Sequence, residues 1–341
     1  MNNQANMNQS GELLENLQPV NILLKELRSG LHRYWEIAHD ILQQSGVTLR
    51  PPDESYFSYQ KNFFSLLFLY SFYRAKIPES RRLLYAATLH CLRGMVTGCD
   101  NLLDDEYKIT LDTDIPEEGY RFRSVVDIMI SDRVLFQLYA EAYQREEISF
   151  EEMVKAISVS MKSMTQSGVQ EASEEQGIDT ILTPEVLLTT VHHFKTGILF
   201  TCPWDILLEI EKCDASVVEV LLKGLYTIGI GCQIMDDIVD FNSDLRGKRH
   251  NYLISLINHN GPAKEQQYLH SMLDGKSPLP PSSDLRNYFP ASISTASITS
   301  KQKLYQGFEL LLSKEHQFLA APAIQFLQQR IGVTFKGSSE E

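Results

Sequence analysis

The sequence predicts an all-α protein, a single bundle of about ten helices. Three observations lead there. Apolar residues recur at i, i+3, i+4 spacing through most of the 341-residue chain. Strand-like alternation bounded by turn signals is nearly absent. Proline and turn signals punctuate the periodic stretches, most clearly in a Pro- and Ser-rich break over 275–299.

Taken in order, the periodic stretches cover 20–46, 57–74, 80–106, 122–144, 150–173, 184–210, 214–242, 247–259, 262–274 and 300–331. Residues 1–18 are polar, with neither a basic nor an apolar leader region, and are expected to be a disordered tail. Pro51-Pro52 and Pro78 punctuate the first third, and Thr183-Pro184 reads as a helix start. The clearest break is 275–299, rich in Pro and Ser, which reads as a long loop. The roughly 40 residues after it are too few for a second core. Residues 19–341 are therefore expected to be one domain. The longest apolar stretch, Phe63–Tyr73, is too short to cross a bilayer, so no membrane insertion is expected.

Composition excludes some functions. Hydrophobic residues are 43%, charged residues 22% and the net charge is −13. So acidic a surface disfavours nucleic acid and anionic membranes, and an anionic substrate must be held by metal ions or local cations. Cys91, Cys99, Cys202, Cys213 and Cys232 form no CxxC pair and are odd in number, which suits reduced core thiols in the cytoplasm.

Two carboxylate clusters carry the chemistry. The first is Asp100-Asn101-Leu102-Leu103-Asp104-Asp105-Glu106 and the second Asp236-Asp237-Ile238-Val239-Asp240. In each, two aspartates stand four apart, Asp100/Asp104 and Asp236/Asp240, so on a helix they share one face a turn apart. Such pairs are common on solvated faces, but here the flanks are Leu, Ile, Val, Met, Cys and Gly. Like charges at this spacing repel. Paired hard oxygens suit Mg²⁺, which takes one or two carboxylates and fills its shell with water and phosphate oxygens.

The two motifs together resemble those of the trans-isoprenyl diphosphate synthases, the polyprenyl synthetases of the class I isoprenoid synthase fold. The span Cys232-Gln233-Ile234-Met235-Asp236-Asp237-Ile238-Val239-Asp240 is similar to the family's FQxxDDxxD, with Cys for Phe. Phe194-Lys195-Thr196-Gly197-Ile198-Leu199-Phe200 resembles its K-T-(A/G)-x-L-F segment, and Asp244-Leu245-Arg246-Gly247-Lys248-Arg249 its D-(I/L)-x-x-G-K-R. The resemblance covers roughly residues 55–255. It implies a site in the bundle core, with Asp100 and Asp104 facing Asp236 and Asp240, and three Mg²⁺ ions bridging an allylic diphosphate. It gives catalytic roles to Lys195, Gln233 and Lys248, with Lys195, Lys248 and Arg249 on the diphosphate. It also implies a homodimer.

The chain departs from the pattern in places. The first motif has Asn101 where the family has a second Asp, but its first and fifth residues, which do most of the family's metal binding, remain Asp. The isopentenyl diphosphate site is altered. Lys61 can be matched, but Arg93 stands at a histidine position, and Arg121 and Arg123 replace an Arg-Arg pair. A second diphosphate needs two or three cations, which Lys61, Arg93, Arg121 and Arg123 could supply. His192-His193 are expected to be packing or rim residues, and Asp112 and Asp114 to be solvated.

The fate of the allylic cation separates the functional readings. Attack by isopentenyl diphosphate makes a prenyltransferase, and attack by an internal double bond a terpene cyclase. A non-catalytic subunit of a heteromeric synthase is a third reading, against which the four intact aspartates argue. Val96 and Met95, four and five residues before Asp100, are the candidate hydrocarbon pocket. Neither is aromatic, which suits tails of C15 or longer.

Overall fold

The computed structural model describes the backbone of residues 2–105 and 107–332, and the side chains of 18–105 and 107–332. The tail expected over 1–18 falls almost wholly outside the described side chains. Among the described residues there are fourteen α-helices and no strand, only an isolated antiparallel bridge between Leu49 and Thr113. The chain divides into two compact units. One is residues 1–164 with 202–218, and the other 165–201 with 219–341.

The first unit is built on α1 (Asn2–Gln44), α2 (Phe63–Arg74), α3 (Glu79–Leu103) and α4 (Tyr120–Gln144), with the start of α5 (Phe150–Ala172) and α7 (Cys202–Leu208). Leu23, Leu27, Leu31, Tyr34, Ala38 and Leu42 recur three or four apart on α1 and are buried. The helices approach closely where side chains are small. A Cβ on Gly30 of α1 would stand 2.4 Å from the Ala86 Cβ of α3, and one on Gly94 would stand 2.1 Å from the Ser131 Oγ of α4. A Cβ on Gly98 would stand 2.6 Å from the Ile128 side chain. The Arg82–Glu26 ion pair is buried at 2.5 Å, and the Trp204 indole donates to Ser71 Oγ at 2.9 Å.

The second unit holds α6 (Pro184–His192), α8 (Ala215–Val239) from residue 219, α9 (Phe241–Gly247), α10 (Tyr252–Asn260), α11 (Ala263–Leu273), α12 (Leu285–Tyr288), α13 (Pro290–Leu311) and α14 (Ala320–Ile331). Its core joins Leu187, Val191, Ile230, Ile234, Phe241, Leu253, Ile257, Leu269, Phe289 and Ile293. Helix α8 is long and apolar enough to span a bilayer, with mean hydropathy 1.4, but half of that window is buried inside the protein. It also ends in the second carboxylate motif, so it is a core helix.

The structure revises several expectations. The fourteen helices outnumber the ten periodic stretches because 184–210 and 300–331 are each divided, α9 bridges most of the gap between 214–242 and 247–259, and α12 lies inside the expected loop. The stretch 184–210 breaks at a π-helical turn, His193–Gly197, where Ile198 N–H bonds His193 O five residues back at 2.9 Å. The stretch 247–259 breaks because Lys248 is left-handed, φ 51°, and Asn251 caps a new helix by accepting from Ile254 N–H at 3.1 Å. Helix α2 starts only at Phe63, since the Asn62 amide bonds the carbonyls of Tyr56 and Ser58 at 2.7 and 2.9 Å and holds a turn. The loop expected over 275–299 ends early, as α13 begins at Pro290. Glu265 caps it, accepting from Ala291 N–H and Ser292 N–H at 2.9 and 3.1 Å. Several of its Ser and Thr residues bond within the helix or across it. Thr295 and Thr299 donate to carbonyls four residues back, and buried Ser300 donates to Gly231 O at 2.7 Å.

Candidate functional site

The first motif closes α3. Along this helix Gly94, Gly98 and Asn101 form the face packed inward, and Gly94 and Gly98 meet α4. Arg93, Val96, Thr97, Asp100 and Asp104 lie on the less buried side, and Asp100 and Asp104 are exposed. Asp104 is the C-cap, its N–H bonding Asp100 O at 2.9 Å. Val96 lies about 40° around the helix from Asp100 and shares its stripe, whereas Met95 is about 140° away. Met95 is buried. Val96 thus shares the Asp100 stripe, and the 3.6-residue period turns Met95 toward the core.

The four cations proposed for a second diphosphate divide into two pairs. The Arg93 guanidinium donates to Lys61 O at 3.1 Å and Asn62 Oδ1 at 2.9 Å, so Arg93 and Lys61 stand together. Lys61 is exposed and its ammonium reaches Ser55 Oγ at 2.7 Å. The other two already have structural partners. Arg121 pairs with Asp105 at 2.7 Å. Arg123 is buried, lies over the Tyr107 ring, and donates to Thr113 O at 3.2 Å. Asp112 and Asp114 are not merely solvated. Asp112 pairs with Arg50 at 3.1 Å, and Asp114 accepts from Thr48 N–H at 3.0 Å.

The second motif closes α8. Asp236 and Asp240 are exposed, and Asp240 stands at the N-terminal boundary of α9. Asp237 turns the other way and is buried. Its carboxylate accepts from Gln233 Nε2 at 2.8 Å and from Tyr252 N–H at 2.5 Å, while its carbonyl accepts from Asn251 Nδ2 at 2.7 Å. The fully buried His192 places Nε2 3.1 Å from Asp237 Oδ2, without the alignment of a hydrogen bond, and neither ring nitrogen makes one. Burial pushes the Asp237 pKa up, but His192 and the hydrogen bonds outweigh it and leave it lowered. His192 is thus an interior neighbour of the motif rather than a rim residue.

The π-helical turn brings Lys195 and Thr196 to this cluster. Gly197 allows it, since a Cβ there would meet the Tyr226 ring at 2.4 Å. Thr196 donates its hydroxyl proton to Gln233 Oε1. Lys195 Nζ lies 3.1 Å from Glu171 and 3.6 Å from Glu174. Burial lowers its pKa, but these carboxylates outweigh that and raise it, so the ammonium stays charged. Asn251 Nδ2 also reaches Asp244 Oδ2 at 2.8 Å. Burial, then Asp237, pushes the Asp244 pKa to about 8. Arg249 N–H bonds Asp244 O at 2.8 Å, and Lys248 is exposed at the left-handed end of α9. The second unit thus brings together Lys195, Gln233, Asp236, Asp240, Lys248 and Arg249 around a polar interior of His192, Asp237, Asp244 and Asn251. The sequence reading missed Asp237 and Asn251 as organisers, since only burial reveals them.

Among the described residues, no three His, Cys, Asp or Glu side chains gather into a group that could hold a metal ion. Each motif does supply two exposed carboxylates one helical turn apart. That donor set fits Mg²⁺, whose remaining positions go to water and phosphate oxygens.

No family model and no curated protein matches the chain by sequence. As a fold it is similar to solved prenyl diphosphate synthases. The geranylgeranyl pyrophosphate synthetase of Pyrococcus horikoshii matches with TM-score 0.59 and 16% identity over 94% of this chain and 99% of that one. A polyprenyl synthase from Roseobacter denitrificans matches with TM-score 0.59 and 16% identity over 92% of this chain and 99% of that one. The geranylgeranyl pyrophosphate synthase of Corynebacterium glutamicum, solved with isoprenyl diphosphate and magnesium, matches with TM-score 0.54 and 14% identity over 92% and 99%. The chain has the all-α fold of the prenyl diphosphate synthases.

Proposed function

We propose that this chain is a Mg²⁺-dependent enzyme that ionises an allylic prenyl diphosphate and passes the cation to isopentenyl diphosphate, a trans-prenyl transfer. The observation that carries this reading is the array Lys195–Thr196–Gln233–Asp237 beneath the exposed pair Asp236 and Asp240. It is the chemistry a diphosphate requires, with carboxylates for the metal and a lysine kept cationic nearby. Bound Mg²⁺, three ions by the family resemblance, would neutralise the leaving diphosphate. Asp100 and Asp104 in the first motif, and Asp236 and Asp240 in the second, would hold the ions. Lys195, Lys248 and Arg249 hold diphosphate oxygens, and Gln233 orients the second motif through Asp237. No strong general base is needed, since the released diphosphate, a carbonyl or a hydroxyl can take the final proton.

One observation favours prenyl transfer over its alternative. Arg93 and Lys61 stand together, as a second anion site needs. One observation favours a terpene cyclase that works without isopentenyl diphosphate, namely that Arg121 and Arg123 are committed to Asp105 and to the loop before α4. The deciding experiment incubates the protein with Mg²⁺ and C10, C15 or C20 allylic diphosphate, with and without isopentenyl diphosphate, and identifies products by mass spectrometry. Chain-extended diphosphates only with isopentenyl diphosphate support transfer, and hydrocarbons or alcohols without it support cyclisation. No turnover at all would sink both and favour the non-catalytic subunit.

In this reading the enzyme is cytoplasmic. Its five cysteines are free; Cys91, Cys202 and Cys232 are buried, while Cys99 is exposed and Cys213 half-buried, so two are not core thiols. It is also a homodimer. Phe122, Met129, Phe136 and Tyr143 recur every seven residues on α4 and are 62, 58, 50 and 45% exposed, a seam suited to a second copy.

A further inference from the structure

We propose that Asn101 is a positioning residue that fixes the first motif in shape, and that it must be asparagine rather than aspartate to do so. This rests on the first motif holding Mg²⁺. Asn101 is 1% exposed and turns away from Asp100 and Asp104. Its Nδ2 donates to Lys108 O at 3.1 Å, and its Oδ1 accepts from Lys108 N–H at 2.8 Å. Only one orientation of the amide satisfies both bonds. The side chain thus closes the chain reversal that follows α3.

That reversal contains Asp104. Just after it, Asp105 is left-handed, φ 55°, a conformation that a residue with a Cβ keeps only when its surroundings hold it there. Two sets of bonds hold it. Asp105 accepts from the Tyr120 hydroxyl and the Arg121 guanidinium. Downstream, residues 107–114 form a strap tied on both sides. Asp127 accepts from the backbone N–H of Leu111 and Thr110, and Arg123 donates to Thr113 O. On the other side Arg50 N–H bonds Asp112 O at 2.8 Å and Asp114 N–H bonds Thr48 O at 3.0 Å. The Asn101 clamp is the tie nearest the motif.

An aspartate at this position could accept from Lys108 N–H but would set its second oxygen against Lys108 O. A buried carboxylate facing a carbonyl is repelled and unsolvated, and the carbonyl loses its donor. The same position in the second motif is Asp237, whose carboxylate meets the donors Gln233 Nε2 and Tyr252 N–H, and there aspartate is the residue that fits. The departure of the first motif from DDxxD is therefore a structural requirement of the strap. Asn101→Asp, which writes the family pattern into the chain, damages the site.

The test uses the full chain with Asn101→Asp, Asn101→Ala and Asp100→Ala. Two readouts are taken besides activity. These are hydrogen exchange of the amides of 107–114, and the thermal shift produced by Mg²⁺ with inorganic pyrophosphate. Asn101→Asp should speed exchange in the strap and raise the Mg²⁺ concentration for half-maximal effect, each by about tenfold, the cost of a lost buried hydrogen bond. KM for the allylic diphosphate should rise more than kcat falls, and exchange in α10 and α11 should not change. Asn101→Ala, which adds no charge, should lie between Asn101→Asp and the wild type, and it decides the matter if Asn101→Asp does not fold. Wild-type Mg²⁺ response and strap exchange in the folded variant overturn the inference. If Asp100→Ala also leaves the Mg²⁺ response intact, the first motif is not a metal site and the functional reading fails with it. If Asp100→Ala abolishes the response while the Asn101 variants keep it, only this inference fails.

Discussion

The two carboxylate motifs expose their first and fifth residues and bury their second, yet the second residue differs. At the end of α3 it is Asn101, facing one amide and one carbonyl of Lys108. At the end of α8 it is Asp237, facing an amide, a glutamine NH₂ and the His192 ring. In both places the buried residue ties the motif to chain further on, seven residues away in one case and fifteen in the other. The lesson is that a buried position inside a motif is chosen by the donors and acceptors it meets, while the exposed positions are chosen by the ligand. A pattern written as DDxxD merges two requirements that the structure keeps apart.

That distinction can be broken most forcefully at Asp237. Asp237→Ala strands Tyr252 N–H, Gln233 Nε2 and His192 in the interior and should destabilise the fold by about 3–5 kcal/mol in urea denaturation. Asp237→Asn keeps an acceptor and should cost about half as much. A loss under about 1 kcal/mol for Asp237→Ala would show that the buried position carries no structural load. The exposed positions should behave the opposite way. Asp100→Ala and Asp236→Ala should each lower kcat at least about a hundredfold, since a ligand that stabilises leaving-group charge is lost. Their melting temperatures should hold. Full activity in either variant would remove that aspartate from the metal site.

A smaller effect separates the surroundings of the two motifs by pH. Asp127, which ties the first strap, is buried with one carboxylate oxygen unpartnered. Burial pushes its pKa to about 7, with Arg123 and the strap amides opposing, and the Tyr107 and Tyr34 hydroxyls are its other titratable neighbours. A raised carboxyl pKa means the folded state binds the proton more tightly than the unfolded chain. Its stabilising contribution is full below the ordinary carboxyl range and is lost as pH rises through 7. Between pH 5.5 and 8 the loss should be about 2 kcal/mol. Urea denaturation at both pH values checks it, and Asp127→Asn should flatten the difference. The smallest effect concerns the α3 stripe. Val96→Phe should shorten the preferred allylic chain with little change in stability. Met95→Phe should destabilise by about 1–3 kcal/mol by overpacking the core. An unchanged chain-length profile for Val96→Phe would mean that the tail does not pass this stripe.

The all-helical fold was legible because helical periodicity is local and repeats over many residues. Lys195, Gln233, Asp236 and Asp240 were legible as a group because they fall in two short segments, and the second unit does bring them together. Other features depend on partners far away in the chain. Nothing near Arg121 or Arg123 signals that Asp105 and Thr113 O hold them. The serines and threonines of 290–300 read as loop because such hydroxyls compete with the backbone, and the structure instead bonds Thr295 and Thr299 to carbonyls of α13 itself and Ser300 to one of α8. His192 read as a packing or rim residue, and its position against Asp237 needed the fold. Met95 and Val96 are adjacent in sequence and part company by one step of the helical period.

The π-helical turn at His193–Gly197 carries one more consequence. It holds one residue more than an α-helix would at the same place, so it sets the angular phase of everything after it. Deleting one residue from the turn would restore regular winding and swing the downstream chain by about 100°. The Lys195 and Thr196 side chains could not then keep both Glu171 and Gln233 as partners. The extra residue works as a gear tooth that meshes α6 with α8, and the pairing of cation and amide beneath the second motif depends on a length, not only on which residues are present.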